Sequence, residues 1–413
     1  MVLKTFYTSW LLEWRSAIAH LFKSEMEVDK PRILQVIDHT CEGGAQVVVY
    51  QYLSWLKNDF SFTVVNLGKE GIFSEAYKQL GISVLELGRN YNRWNPYVFL
   101  RLRRVIKSLK SEIVHTHLLK SNLLGSYAAE LTNRKFIIHD HMGVYPASLD
   151  LYGHYLPPVL IQNIYIHAYR HLIRKCDQVI LLNNGMLKSY QDCYDLIDSN
   201  IRVLPNAIDV QAFCPQSRKN QKSSIREELS MPANTRIVIM IARLEPEKDW
   251  ITFLEVSKEF RDAYEPPVAF LIVGAGSEEN HLKEYAHENG LRHVFFLGYR
   301  DDIPNLLNQS DIFLLTSSRE PFGIVVVEAM AAGCPVVATR SGGPEFIIED
   351  GETGLLTDVG DVRGLVLSIQ RILEDYDLKV KLSRNARKTV EKYYSIENIT
   401  LELTKIYNQV LRL

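Results

Sequence analysis

The 413-residue chain has no C-x-x-C pair among its five cysteines, Cys41, Cys176, Cys193, Cys214 and Cys334. That spacing excludes a zinc ribbon and a disulfide framework and suits reduced thiols in a cytoplasm. No run approaches the roughly twenty apolar residues of a membrane span, and no small-residue cleavage site marks a secretory signal. A net charge of −2 offers no cationic excess for a nucleic-acid partner. The Gly274-Ala275-Gly276 turn lacks the third glycine of a dinucleotide fingerprint. The one D-x-D, Asp375-Tyr376-Asp377, falls at an expected helix end. What remains is 46% hydrophobic and long enough for two domains.

The most informative stretch is Asp311 to Gly343, DIFLLTSSREPFGIVVVEAMAAGCPVVATRSGG. Ile312 to Leu315 reads as a buried strand and Thr316 to Arg319 as a polar loop. Pro321 and Gly323 fit the first turn of a helix running from Ile324 to Ala332, and Gly333 suits its left-handed cap. Pro335 to Ala338 reads as the next buried strand. This is the repeating unit of a parallel α/β sheet, which binds ligands at the carboxyl ends of its strands. The N–H groups of Phe322, Gly323, Ile324 and Val325 would cradle an anion. Glu328 would accept hydrogen bonds from a ribose diol, and Glu320 would hold a second polyol. A phosphate between two hydroxyl-rich groups describes a nucleotide sugar. A capping acid and a solvated helix glutamate would leave the same trace.

Upstream the chain alternates strand and helix. Residues 1 to 30 place Leu3, Tyr7, Trp10, Trp14, Ile18, Leu21 and Phe22 at helical spacing, an amphipathic helix lying in a membrane surface or packed on its own domain or a partner chain. The first strand, Arg32 to Ile37, leads to Gly43 and Gly44, whose small size lets backbone N–H groups approach a phosphate; a plain turn needs the same pair. Arg101, Arg103, Arg104, Lys107 and Lys110 share the helix at 97 to 110, as an anionic-membrane contact or a solvated face. His115 and His117 end one strand, and His139 and His141 follow the next; an H-x-H pair is a metal half-site, but no third ligand stands at a useful spacing. Tyr145, Tyr152, His154, Tyr155, Tyr165, His167, Tyr169 and His171 make an aromatic segment able to stack on sugars or pack as a surface helix.

The pair Glu320 and Glu328, with EAMAAGCPVVAT directly after, strongly resembles glycosyltransferase family 4, whose members are retaining enzymes of the GT-B fold. The resemblance runs from about Arg32 to the C-terminus. It implies an α/β protein of two facing Rossmann-like domains with a deep cleft. An acceptor-binding domain would span 31–208, a nucleotide-sugar domain 209–394, and a terminal helix at 395–413 would cross back to the first domain. RVLPNAID, Arg202 to Asp209, resembles the crossing segment, with Ala207 in place of the usual glycine. Residues 215 to 234 read as an exposed link.

By the same resemblance Arg243 and Lys248 bind the diphosphate, Gly274 passes near the nucleotide, and Tyr299 and Arg300 border the base. Gly43 and Gly44 match the family's GGAE loop, with Gln46 where its glutamate stands; Asp249 stands where glycine is usual. The H-T-H at 115–117 would line the acceptor cleft, and His141 would touch the transferred sugar, with His139 the competing assignment. Catalysis would rest on His141, Glu320, Arg243 and Lys248. No cofactor or metal is implied; the donor would be a nucleotide diphosphate sugar, UDP being the more common base. The acceptor would be a glycan or a lipid-linked glycan, which keeps peripheral membrane association open. A nucleotide-sugar epimerase of the same fold and a non-catalytic partner subunit are the rivals. Phosphorylases of this general fold carry pyridoxal phosphate, for which no lysine context is present.

Overall fold

The computed structural model describes residues 30–88, 96–144, 158–194, 200–214, 224–261 and 264–412. The N-terminal amphipathic segment, Tyr145, Tyr152, His154, Tyr155 and residues 215–223 of the 215–234 link lie outside them.

The chain divides into two compact units. Unit 1 holds the chain up to His139, with Lys175–Asp177 and Val410–Leu413; unit 2 holds Asp140–Arg174 and Gln178–Gln409. In unit 1, β1 (Arg32–Ile37), β2 (Ser61–Asn66), β3 (Ser83–Glu86), β4 (Ile113–His117) and β5 (Lys135–His139) lie in the order β3-β2-β1-β4-β5. Every pairing in this run is parallel. Unit 2 contains β6 (Gln178–Leu181) paired with β7 (Ile201–Val203), and a six-stranded parallel sheet. That sheet comprises β8 (Arg236–Ile241), β9 (Val268–Val273), β10 (Val294–Gly298), β11 (Ile312–Leu315), β12 (Val336–Thr339) and β13 (Leu355–Thr357), in the order β10-β9-β8-β11-β12-β13.

Why these segments are strands follows from their side chains. β9 (VAFLIV) and β11 (IFLL) are buried at every position, as expected of parallel strands covered on both faces. β4 (IVHTH) is also buried throughout, although three of its five residues are polar. From sequence alone the strand reads as Ile113 to His115, because polar residues look like a strand end. Pairing carries it two residues further: His115 lies opposite Ile137, and His117 opposite His139. His115 and His117 are therefore strand residues, each 1% exposed.

A helix the sequence reading passed over, Trp250–Lys258, follows a 3-10 turn at Pro246–Lys248. Asp249 joins them in the left-handed region, φ +48°, and its carboxylate accepts from Thr252 N–H as the helix cap. Glycine costs least at such an angle, and aspartate is among the few residues that tolerate it. Asp375 likewise caps Tyr376–Tyr393 through Leu378 N–H, which accounts for the chain's D-x-D.

Candidate active site

The site in unit 2 grows from the loop between β11 and the helix Ile324–Ala332. Gly323 is the residue before that helix, at φ +93°, so Pro321 and Gly323 precede the first turn rather than forming it. Any other residue would be strained there, and its Cβ would press on Val326 and Glu320. Among the described residues, the backbone N–H groups of Phe322, Gly323, Ile324 and Val325 have no protein acceptor. They are the open donors of a helix start.

Two neighbouring segments fix this loop. Glu320 N–H donates to Ser341 O at 2.8 Å, and Gly343 N–H donates to Glu320 O at 2.6 Å. The Thr316 hydroxyl donates to Asp249 O at 2.9 Å, and Ser318 N–H donates to Glu247 O at 3.0 Å. These bonds hold the 246–249 turn against the loop and bring Lys248 Nζ to 2.6 Å from Glu320 Oε2. Both side chains of this ion pair are about seven-eighths buried. Arg243, mostly exposed, is steadied by Glu247 at 2.9 Å, while its carbonyl accepts from the Trp250 indole at 3.0 Å.

Glu328 is the fifth residue of the helix Ile324–Ala332, just over one turn in. No described side chain bonds its carboxyl, and desolvation pushes its pKa up to about 8, although the residue keeps some accessible surface. It is thus a carboxyl without a protein partner, set where a ligand hydroxyl would be needed to satisfy it.

The Asp140–Gly143 turn supplies a further wall. Asp140 Oδ1 accepts from Met142 and Gly143 N–H at 2.8 and 3.0 Å, and Oδ2 accepts from the Tyr190 hydroxyl. His141, 7% exposed, has its pKa pulled down to about 4 by burial, against a hydrogen bond with Asn206, so it is neutral at pH 7. Two residues absent from the sequence reading matter here. Asn183 donates to Pro321 O at 2.9 Å and accepts from Met186 N–H at 2.9 Å, tying a helix start to the glutamate loop. Asn206 is the other. The only advance signals were a helix-capping asparagine and the asparagine of P-N-A.

A cavity of about 270 Å³ opens among Met142, Gly143, Asn183, Glu320, Gly342 and Phe346. Two larger hollows, of about 500 and 450 Å³, lie at Arg32, Lys107 and Arg134 and at Tyr376–Glu391. Neither touches a carboxylate or cation of the site, so size does not identify the functional cavity.

Other expected contacts change meaning. Gly274, φ +138°, lies so close to Ala242 O that a Cβ could not fit, and its N–H donates to Gly298 O at 2.8 Å. Its amide is committed to the backbone. The Arg300 guanidinium is forked onto Asp302 and Glu228, at 2.7 and 2.6 Å, leaving that segment its backbone and the exposed Tyr299. In unit 1, Gly43 precedes the helix Gly44–Leu56 with an extended backbone, and Gln46 turns back onto the His39 ring and carbonyl. Ala207 is buried and absent from the positive-φ residues, so the backbone here has no need of glycine. His115 and His117 do find a third imidazole: sheet pairing brings His139 beside them, contrary to the reading from spacing alone.

The model of "Glycosyltransferase Family 4" matches residues 42–212, and that of "Glycosyl transferases group 1" matches 221–389. The chain belongs to the family 4, group 1 glycosyltransferases. It is 35% identical over 176 residues to the lipopolysaccharide core biosynthesis glycosyltransferase LpsE of Rhizobium meliloti (strain 1021), covering 42% of this chain and 50% of that protein. It is 26% identical over 312 residues to the Escherichia coli UDP-Gal:alpha-D-GlcNAc-diphosphoundecaprenol alpha-1,3-galactosyltransferase, covering 75% and 78%. Most such relatives are spanned over half to three-fifths of their length. The Anabaena Alr3699/HepE structure in complex with UDP superposes with a TM-score of 0.77 at 22% identity, covering 92% of this chain and 100% of that one. A glycosyltransferase from Rickettsia africae ESF-5 gives 0.78 at 24%, covering 93% and 99%. These establish the α/β GT-B fold.

Proposed function

We propose that this chain is a retaining glycosyltransferase that moves a hexose-type sugar from a nucleotide diphosphate sugar, a UDP-sugar, to a glycan or lipid-linked acceptor. The carrying observation is the buried Lys248–Glu320 pair beside an open helix start. One end offers cationic and N–H groups for a diphosphate, the other a carboxylate for sugar hydroxyls. The donor is assigned to residues 209–394 and the acceptor to 31–208. The named activities of the Rhizobium and Escherichia relatives, and the UDP bound to HepE, favour a UDP-sugar and a cell-surface glycan. The setting proposed is cytoplasmic, at the membrane face; among the described residues no helix is long and apolar enough to cross a membrane.

In this reading the acceptor hydroxyl attacks the anomeric carbon from the side on which the diphosphate departs. The C–O bond to phosphate breaks as the new glycosidic bond forms, and the departing diphosphate takes the acceptor proton. Charge develops on the phosphate oxygens, where Lys248, Arg243 and the 322–325 N–H groups would stabilise it. Glu320 orients the sugar ring and also holds Lys248. Neutral His141 would exchange a hydrogen bond with a sugar hydroxyl rather than act as a charged acid. Glu328 would accept from the ribose. These roles require no resident metal.

The test is a thermal-shift screen with UDP, GDP and ADP on wild type and Glu328→Ala, followed by turnover of UDP-hexoses. Stabilisation by UDP that is lost in the variant, with sugar transfer of unchanged anomeric configuration, is the expected result. A ligand at about 100 times its dissociation constant adds roughly 2.7 kcal/mol. Stabilisation by none of the three nucleotides would overturn the enzyme reading. Conversion of the donor without an acceptor would replace it with an epimerase.

A further inference from the structure

Three buried histidines in unit 1 play no part in the reaction derived above. His115 and His117 are two residues apart on β4 and so project to one face of the sheet. His139 lies directly opposite His117 on β5, on that same face. All three side chains are at most 1% exposed. The His115 and His117 ring centroids are 4.2 Å apart, and His139 lies 5.5 and 5.4 Å from them. One ring nitrogen from each can be chosen so that all three lie within 4.8 Å of one another.

We propose that His115, His117 and His139 hold one divalent transition-metal ion of the zinc class. Imidazole is the borderline donor such ions prefer, and a zinc–nitrogen bond of about 2.0–2.1 Å puts tetrahedral ligands about 3.3–3.5 Å apart. Closing from 4.8 Å requires small rotations about the side-chain torsions, with the two strand backbones unmoved. The surroundings supply the second requirement. Gln35, opposite His115 on β1, places its amide oxygen 2.7 Å from His117 Nε2. An amide oxygen accepts, so Nε2 carries the proton and Nδ1 keeps the lone pair for a metal. Metal-bound histidines are commonly fixed by such an outer acceptor. The Tyr52 ring stacks on His139 at 6.3 Å and closes one side. Three imidazoles leave one tetrahedral position for solvent or an anion. Because the site is buried, loading accompanies folding, and the ion stabilises unit 1. The inference stands independently of the transfer reaction.

The test uses the untagged full-length chain purified without chelator. Elemental analysis is expected to find close to one equivalent of metal. After chelator dialysis, cobalt(II) should give the visible absorption of a tetrahedral nitrogen-ligated ion, zinc should displace it, and zinc should raise the melting temperature. His139→Gln should lose the metal and the zinc-dependent shift, while His281→Gln, at an exposed histidine, should keep both. Should His139→Gln not fold, Gln35→Ala serves: removing an outer acceptor should weaken zinc binding about 10–100-fold. Wild-type protein that contains no metal and gives no cobalt spectrum overturns the proposal. So does metal retained at full stoichiometry in His139→Gln or at full affinity in Gln35→Ala.

Discussion

Two regions at the carboxyl ends of parallel strands show opposite ways of using polar residues. Around Glu320 the groups are charged, partly reachable by solvent and incompletely satisfied: a lysine–carboxylate pair, open N–H groups, and the unpartnered carboxyl of Glu328. Around His115, His117 and His139 the groups are imidazoles, almost fully covered and packed ring against ring. The first arrangement keeps polar capacity in reserve for a ligand that brings charge. The second spends its polar capacity inside the fold. Substitution in the first should therefore cost activity, and in the second stability.

The sharpest break would come at Lys248. Lys248→Ala should lower kcat for sugar transfer by about 10²–10³-fold, the usual loss of one preorganised charge-stabilising group, while denaturant unfolding changes far less. A stability loss without an activity loss would reverse the comparison. Next comes His117→Ala, which empties a buried position and removes the 2.7 Å hydrogen bond to the Gln35 amide oxygen. It should cost about 2–4 kcal/mol in urea unfolding.

Glu328 tests the first region's reserve. Its carboxyl is neutral well above the ordinary glutamate range, with a pKa of about 8. Below pH 4.5 both folded and unfolded states are protonated, and burial carries no electrostatic penalty. Between 4.5 and 8 the unfolded chain ionises first, so the native state loses stability as pH rises, and above 8 the penalty is complete. Glu328→Gln should thus stabilise the ligand-free protein by about 1–3 kcal/mol at pH 8 and by little at pH 4, while weakening nucleotide binding. A pH-independent difference would count against a reserved carboxyl. The smallest effect is expected at Ala207, whose backbone needs no left-handed angle. Ala207→Gly should cost about 0.4–1 kcal/mol, through the freedom it adds to the unfolded chain; a stabilising change would show that the angle is strained.

The legibility of the two regions differs as their chemistry does. The strand, loop and helix from Ile312 to Ala332 could be read because every informative signal, the apolar run, Gly323, Gly333 and the two glutamates, lies within one short stretch. Local propensities and covalent spacing set such a unit before any long-range contact forms. The histidine cluster could not be read, because His139 follows His117 by 22 residues and the two meet only through the pairing of β4 with β5. Asn183 was equally hidden: its partner, Pro321 O, is 138 residues away.

By itself, then, the sequence determined the α/β alternation and the glycine-punctuated helix ends, because hydrophobic patterning and chain stiffness act over a few residues, whereas Arg243 and Lys248 stood out only through the family resemblance. Tertiary structure decided which groups share a bond. It drew Lys248 onto Glu320, committed Arg300 to Asp302 and Glu228, used up the Gly274 amide, and gathered three histidines on one sheet face. Those outcomes depend on strand register and loop packing, which arise from contacts between distant segments and leave no local mark in the chain.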